Sequence, residues 1–150
     1  MLTVQPKNIF LADDDADDRL IFEEALKELN IQVELTIIND GVELMTLLDN
    51  AVPPPPFVVF LDLNMPRKNG LQCLAEMKEI QKLKNIPVII FSTSDHPVTV
   101  DKTYDLGATY FICKPRSFDL LKKAIERVLS FDAGLLMRQP SKEKYLLEIA

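Results

Sequence analysis

Five short apolar runs constrain the fold of this chain more than any other feature: IFLA (9–12), LTII (35–38), FVVFL (57–61), VIIFS (88–92) and YFIC (110–113). Each is rich in β-branched or aromatic residues, which reads as a strand. The runs are continuous rather than alternating, so both faces of each strand must be buried. That is the signature of a parallel sheet covered by helices on both sides. The intervening segments carry helical periodicity. Phe22, Ala25, Leu26 and Leu29 fall at i, i+3, i+4 and i+7, and Phe118, Leu121, Ile125 and Val128 form a similar stripe. The punctuation agrees: Asp40 and Glu43 stand in capping-box spacing before the second helix, Ser94 and Pro97 open the fourth, and Gly107 follows its end. The prediction is an α/β fold, (βα)5, with a doubly wound five-stranded parallel sheet.

A chain of 150 residues suits one domain, expected over residues 1–130, with a tail over 131–150 too short for an output domain. No apolar run reaches the ~18 residues of a membrane span, and the N-terminus, MLTVQPKN, lacks signal-peptide character. A cytoplasmic protein is expected. Cys73 and Cys113 form neither a CxxC pair nor a disulfide framework, and both are expected to be small buried hydrophobes. The net charge of -6, without any Lys/Arg-rich block, argues against direct nucleic-acid binding and favours a cation or a basic partner surface. PPPP (53–56) is expected to be a stiff polyproline connector into the third strand. In the tail, Leu135, Leu136, Tyr145, Leu146, Leu147 and Ile149 are more apolar than a disordered end requires. This segment is expected to pack on the domain or on a second copy, which would make a homodimer.

In doubly wound sheets ligands bind beyond the carboxyl ends of the strands. Those ends carry Asp13 and Asp14 after the first strand, Asp62 after the third, Ser92 on the fourth and Lys114 after the fifth. Carboxylates about 4 Å apart repel by ~4 kcal/mol per pair at an effective dielectric of 20, so something positive must sit among them. Lys114 supplies one charge, and the remaining hard oxygen ligands suit Mg2+. Metal, lysine and hydroxyl together describe a phosphoryl site in which a carboxylate could be the nucleophile.

Simpler readings claim the other candidates. Asp15, Asp17 and Asp18 read as caps and first-turn charges. DDDADDRLIFEE (13–24) places acids at calcium-loop positions, but Asp18 stands where the sharp turn needs glycine. Ser94, Asp95 and His96 are neighbours in sequence, which does not make a triad, and His96 reads as a loop residue. No Walker or GxGxxG phosphate loop is present.

In combination, LADDD, FLDLNMP with Gly70 four residues after Pro66, Ser92 followed by Thr93, and FICKP resemble the receiver domain of bacterial two-component response regulators, of the chemotaxis and phytochrome-regulator type. The likeness covers residues 7–130. It implies a flavodoxin-like strand order of 2-1-3-4-5. It further implies that Asp62 accepts a phosphoryl group from a sensor histidine kinase or histidine phosphotransfer protein. Asp14, Asp62 and the backbone carbonyl of Asn64 would ligate Mg2+, with Asp13 acting through water. Lys114 would pair with the phosphoryl group, the Lys114–Pro115 bond would be cis, and Ser92 and Phe111 would form the switch pair that repacks the face of the fourth helix, fifth strand and fifth helix. Serine and phenylalanine stand where the family more often has threonine and tyrosine. By the same resemblance, Asn64 and Ser94 would occupy the positions that tune the attacking water.

Two other functions compete with this switch, which would not be a turnover enzyme. A phosphatase resembling the haloacid dehalogenases would use Asp13 as nucleophile with Asp15 two residues on, but the cap and later acidic pair of that family are missing. A pseudo-receiver would serve only as an interaction module, and the complete acidic and lysine set speaks against it.

Overall fold

The computed structural model describes residues 6–149; the first five residues and Ala150, at the two ends of the expected domain and tail, lie outside the described residues. Five parallel strands form one sheet in the order β2-β1-β3-β4-β5: β1 (Lys7–Ala12), β2 (Val33–Ile38), β3 (Val58–Leu61), β4 (Val88–Ser92) and β5 (Tyr110–Cys113). A helix follows each: α1 (Ala16–Leu29), α2 (Gly41–Ala51), α3 (Gly70–Glu79), α4 (Pro97–Asp105) and α5 (Phe118–Ser130). Among the described residues, no helix is long and apolar enough to cross a membrane.

Alternation along each strand divides the core in two. Ile9 and Leu11 join Val58, Phe60, Ile89 and Ile112 beneath α1 and α5, whereas Phe10 and Ala12 join Val59, Leu61, Ile90 and Phe111 on the face that α2 and α3 cover. On the first face Phe22, Phe60 and Phe91 meet edge to face, with ring centroids 5.0 to 6.2 Å apart, an arrangement favoured by the ring quadrupoles. The central strands β3 and β4 are buried throughout, as continuous apolar runs require. β2 lies at the edge and is mostly half-buried.

Local signals explain most helix starts. Asp15 caps α1 by accepting from the N–H groups of Asp17 and Asp18, Asp40 caps α2 by accepting from Glu43, and Asn69 with Gln72 closes a full capping box on α3. For α4 the cap is His96, whose Nδ1 accepts from Val98 N–H at 3.3 Å, and not Ser94. Pro97 at the first helical position fixes the register one residue after His96. Gly107 takes the left-handed conformation, φ 97°, that ends α4. The PPPP connector contains two cis peptide bonds, Val52–Pro53 and Pro53–Pro54, which interrupt continuous polyproline extension. Lys114–Pro115, expected to be cis, is not among the cis bonds of the described residues; the Lys114 N–H continues the ladder to Ser92 O at 2.7 Å, and the ordinary trans preference stands. Cys73 is buried, but Cys113 is only half-buried because β5 ends there at the rim of the sheet.

The tail folds back onto the domain. Two single-turn helices, α6 (Ala133–Leu136) and α7 (Lys142–Tyr145), bring Leu146 alongside Phe111 in a parallel bridge, and Leu147 N–H donates to Phe111 O at 2.8 Å. Tyr145 is 1% exposed; its ring lies 5.0 Å from Tyr104 and 6.3 Å from Phe111, and its hydroxyl is 2.7 Å from that of Thr103 on α4. Burial pushes the Tyr145 phenol well above its ordinary pKa, an effect the Thr103 bond only partly offsets. Gln139 donates to Tyr104 O and Ala108 O, and Arg127 of α5 donates to Glu148 O. Leu136 and Leu147 are buried and Leu146 and Ile149 half-buried, while Leu135 faces solvent. These contacts make the tail part of the folded unit. Tyr145→Ala should cost about 3 to 5 kcal/mol in urea denaturation, as large-to-small core substitutions do, and deleting residues 141–150 should lower the midpoint comparably. Tyr145→Phe should cost only about 1 kcal/mol, because the Thr103 hydroxyl keeps its bond to Val100 O.

Candidate functional site

Strand register assembles the site. Asp13 N–H donates to Ile38 O at 3.0 Å and Asp62 N–H donates to Ala12 O at 2.9 Å, so each acid stands one residue beyond its strand, still held by ladder bonds. Lys114 follows β5 in the same way. Close approach behind Asp62 requires Gly70, because a Cβ there would press into the Asp62 carbonyl oxygen.

Within this rim Asp13 and Asp62 are buried, 1% and 5% exposed, and Asp14 faces solvent. Asp13, Asp14 and Asp62 each offer a carboxylate oxygen, and the three oxygens lie within 4.8 Å of one another. Asp13 uses Oδ1 to accept from Asp15 N–H at 3.0 Å and Oδ2 to accept from Lys114 Nζ at 2.9 Å. Asp62 accepts weakly from Asn64 N–H at 3.3 Å through Oδ1, and its Oδ2 lies 3.7 Å from Lys114 Nζ. Lys114 also donates to Asp18 Oδ2 at 2.8 Å.

Burial governs the protonation of these groups. Loss of solvent is the main force on Asp62 and raises its pKa from 3.8 to about 6; Lys114 opposes the rise and Asp13 adds to it. For Lys114, burial by itself would favour the neutral amine, but bonds to Asp18 and Asp13 and the charges of Asp13 and Asp62 hold its pKa above the ordinary value. Two buried acids and one lysine therefore leave uncompensated negative potential aimed at Asp62, and hard oxygen donors at this spacing fit a divalent cation of the Mg2+ kind.

Ser92 is buried at the end of β4, where its Oγ accepts from Ser94 N–H at 3.4 Å. With Asn64, Ser94 and Thr99 it lines a polar recess of about 480 Å³ beside the acidic rim. Phe111 is fully buried on β5 beneath Tyr145 and Leu146. The structure thus gathers Asp13, Asp14, Asp62 and Lys114 at one place, sets Ser92 and Asn64 at its flank, and leaves Phe111 in the interior. Asp18, which reads from the sequence as a first-turn charge, joins this group through its 2.8 Å bond to Lys114. No spacing in the sequence marks it, because Asp14 precedes the Asp15 cap and a first-turn acid has a sufficient local reason in the helix dipole.

The match to known proteins follows this geometry. The family model for the response regulator receiver domain matches residues 9–126. The response regulator Rcp1 of Synechocystis sp. (strain ATCC 27184 / PCC 6803 / Kazusa) is 35% identical over 130 residues, 84% of this chain and 88% of that protein. A crystal structure of the Mn(2+)-bound form of Rcp1 superposes with a TM-score of 0.75, covering 84% of this chain and 94% of that one. The phosphorylated cyanobacterial phytochrome response regulator RcpA gives a TM-score of 0.78 at 33% identity, covering 85% and 94%. CheY of Borrelia burgdorferi, in a CheX-CheY-BeF3-Mg+2 complex, gives 0.70 at 27% identity over 83% and 88%. By its match to the family model, its strand order 2-1-3-4-5 and its acidic rim, the chain belongs to the response regulator receiver domain family of two-component signalling, whose members act as phosphoacceptor switches.

Proposed function

We propose that Asp62 is the phosphoacceptor of this response regulator and that a sensor histidine kinase or histidine phosphotransfer protein is the donor. One observation carries the reading: β3 delivers a single buried carboxylate to within 3.7 Å of the Lys114 ammonium, beside Asn64, which lines the polar recess. An Asp62 carboxylate oxygen would attack the phosphorus of the phosphohistidine. The P–N bond breaks, the imidazole leaves and takes up a proton, and an acyl phosphate forms. Water attack on phosphorus then returns the free carboxylate and inorganic phosphate, so the only catalysis is self-directed phosphotransfer and dephosphorylation.

The converging oxygens of Asp13, Asp14 and Asp62 support a Mg2+ site, at which Asp14, Asp62 and the Asn64 carbonyl would hold the ion and Asp13 would act through water; the ion would supply positive charge against the transferring oxygens. Asp13 is a poor nucleophile here, since both of its oxygens already accept hydrogen bonds, and this disfavours the phosphatase reading. Lys114 would neutralise a phosphoryl oxygen, and the Ser92 hydroxyl would bond another. Because Ser92 pairs with Cys113 across β4 and β5, and Phe111 lies two residues earlier, a shift of Ser92 would be felt at Phe111 and the tail above it.

Two measurements test this reading. Acetyl phosphate with Mg2+ should place one acid-stable, alkali-labile label on wild type and none on Asp62→Asn; label on Asp13 with repeated turnover of a phosphoester would reverse the assignment. The second measurement is pH dependence without metal. The folded pKa of Asp62 is raised above its unfolded value, so its ionisation opposes folding and the cost grows as pH rises from 3.8 through about 6. In EDTA at pH 7.5, Asp62→Asn should therefore be more stable than wild type by about 2 to 3 kcal/mol, at 1.36 kcal/mol per pKa unit. This gain should shrink as pH falls and vanish below about 4, read as urea midpoints across a pH series.

A further inference from the structure

The Lys114 ammonium faces three carboxylates and holds two of them. Its Nζ lies 2.9 Å from Asp13 Oδ2 and 2.8 Å from Asp18 Oδ2, and at 3.7 Å from Asp62 Oδ2 it falls short of a hydrogen bond. Asp13 belongs to the metal-binding rim, but Asp18 does not: it projects from the first turn of α1 and is absent from the group of three converging carboxylates. Its position is not loose. The Asp18 N–H is bonded to the Asp15 cap at 3.0 Å, and α1 is anchored in the core through Phe22, Ala25 and Leu26. A rigid helix thus aims a carboxylate at the one lysine that the phosphoryl group would need. The Lys114–Asp18 pair is only partly shielded, with side chains 11% and 37% exposed, so exchange of partners is open to it.

We infer that Asp18 is a positioning residue that holds Lys114 off Asp62 in the resting protein, and that the ammonium exchanges Asp18 for a phosphoryl oxygen when Asp62 is phosphorylated. The inference rests on Asp62 being the phosphoacceptor. No covalent bond changes at Asp18; a charge-assisted hydrogen bond to the phosphoryl group replaces one to a carboxylate. Holding the lysine in reserve disfavours the phosphorylated state relative to a protein whose lysine is free. Asp18 therefore shortens the life of the acyl phosphate.

The test compares Asp18→Ala with Asp17→Ala. Both remove one acidic charge from the first turn of α1, but Asp17 is exposed and makes no ion pair with Lys114 among the described residues. After loading with acetyl phosphate and Mg2+ and removal of donor, the label on Asp18→Ala should persist at least about threefold longer than on wild type, while Asp17→Ala decays like wild type. In a Lys114→Gln background the Asp18→Ala substitution should have no further effect, whereas a purely structural or general charge effect would persist there. A crystal structure of metal-free Asp18→Ala should show Lys114 Nζ within hydrogen-bond distance of Asp62 Oδ2. An unchanged or shortened label lifetime, an equal effect from Asp17→Ala, an effect that survives in Lys114→Gln, or an unchanged 3.7 Å separation would each overturn the inference. If wild type takes no label on Asp62, the phosphoacceptor reading and the exchange step fail together, and the crystal distance still decides whether Asp18 holds the lysine in the resting protein.

Discussion

One ammonium among four acids is the interaction on which the rim of this protein depends. Parallel pairing of β1, β3, β4 and β5 forces Asp13, Asp62 and Lys114 to the same edge, because each follows its strand without a gap. Without Lys114, two buried carboxylates would face each other in a poorly solvated pocket, and one would have to take up a proton. With it, Asp13 is fully bonded and Asp62 is left partly unsatisfied. Burial raises the Asp62 pKa, Lys114 only partly offsets that rise, and the Asp13 charge adds to it. For Asp62 as the proposed acceptor, a marginal charge deficit that a bound cation would fill suits reversible phosphorylation: the site must not be so well compensated that a phosphoryl group gains nothing by arriving.

The apolar runs made the sheet legible because burial on both faces leaves a chain few alternatives. β4 and β5 have the boundaries read from the sequence, whereas β1 and β2 each begin two residues earlier. Lys7, Asn8 and Glu34 supply backbone bonds at the start of their strands, where pairing does not demand apolar side chains, so composition could not mark them, and the polar Glu34 separates Val33 from the apolar run that follows. Asp13, Asp14, Asp62 and Lys114 were readable from their place after strands, since topology alone brings strand ends together. Asp18 was not, because its role depends on the direction of α1 relative to Lys114, and first-turn acids have a sufficient local reason to exist. The His96 cap, the cis bonds before Pro53 and Pro54, and the trans Lys114–Pro115 bond likewise depend on local geometry that residue type does not dictate.

The tail was legible in kind but not in place. Its apolar residues called for a surface, and the surface it finds is the exposed edge of β5. An unpaired strand edge invites association, and the Leu146 bridge and the Leu147 bond to Phe111 cover part of this one. Cover by a short backbone segment alone would be weak. Tyr145 adds what the segment lacks, an aromatic ring seated between Tyr104 and Phe111 and a hydroxyl bonded to Thr103. The tail is thereby tied to α4, β5 and α5 at once.

Such a tie changes what a movement at Ser92 can do. Here Phe111 is fully buried, with Tyr145 packed against it and Leu146 and Leu147 on its backbone, so its position and the tail's seating form one packing unit. Close-packed units respond by moving between discrete arrangements rather than by deforming smoothly. A signal that draws Ser92 toward the phosphoryl group would therefore be registered as a change in how firmly residues 145–147 are seated. The surface offered to a partner would then include the tail together with α4 and α5, because the Tyr145 ring packs on that of Phe111 and Leu146 bridges its backbone.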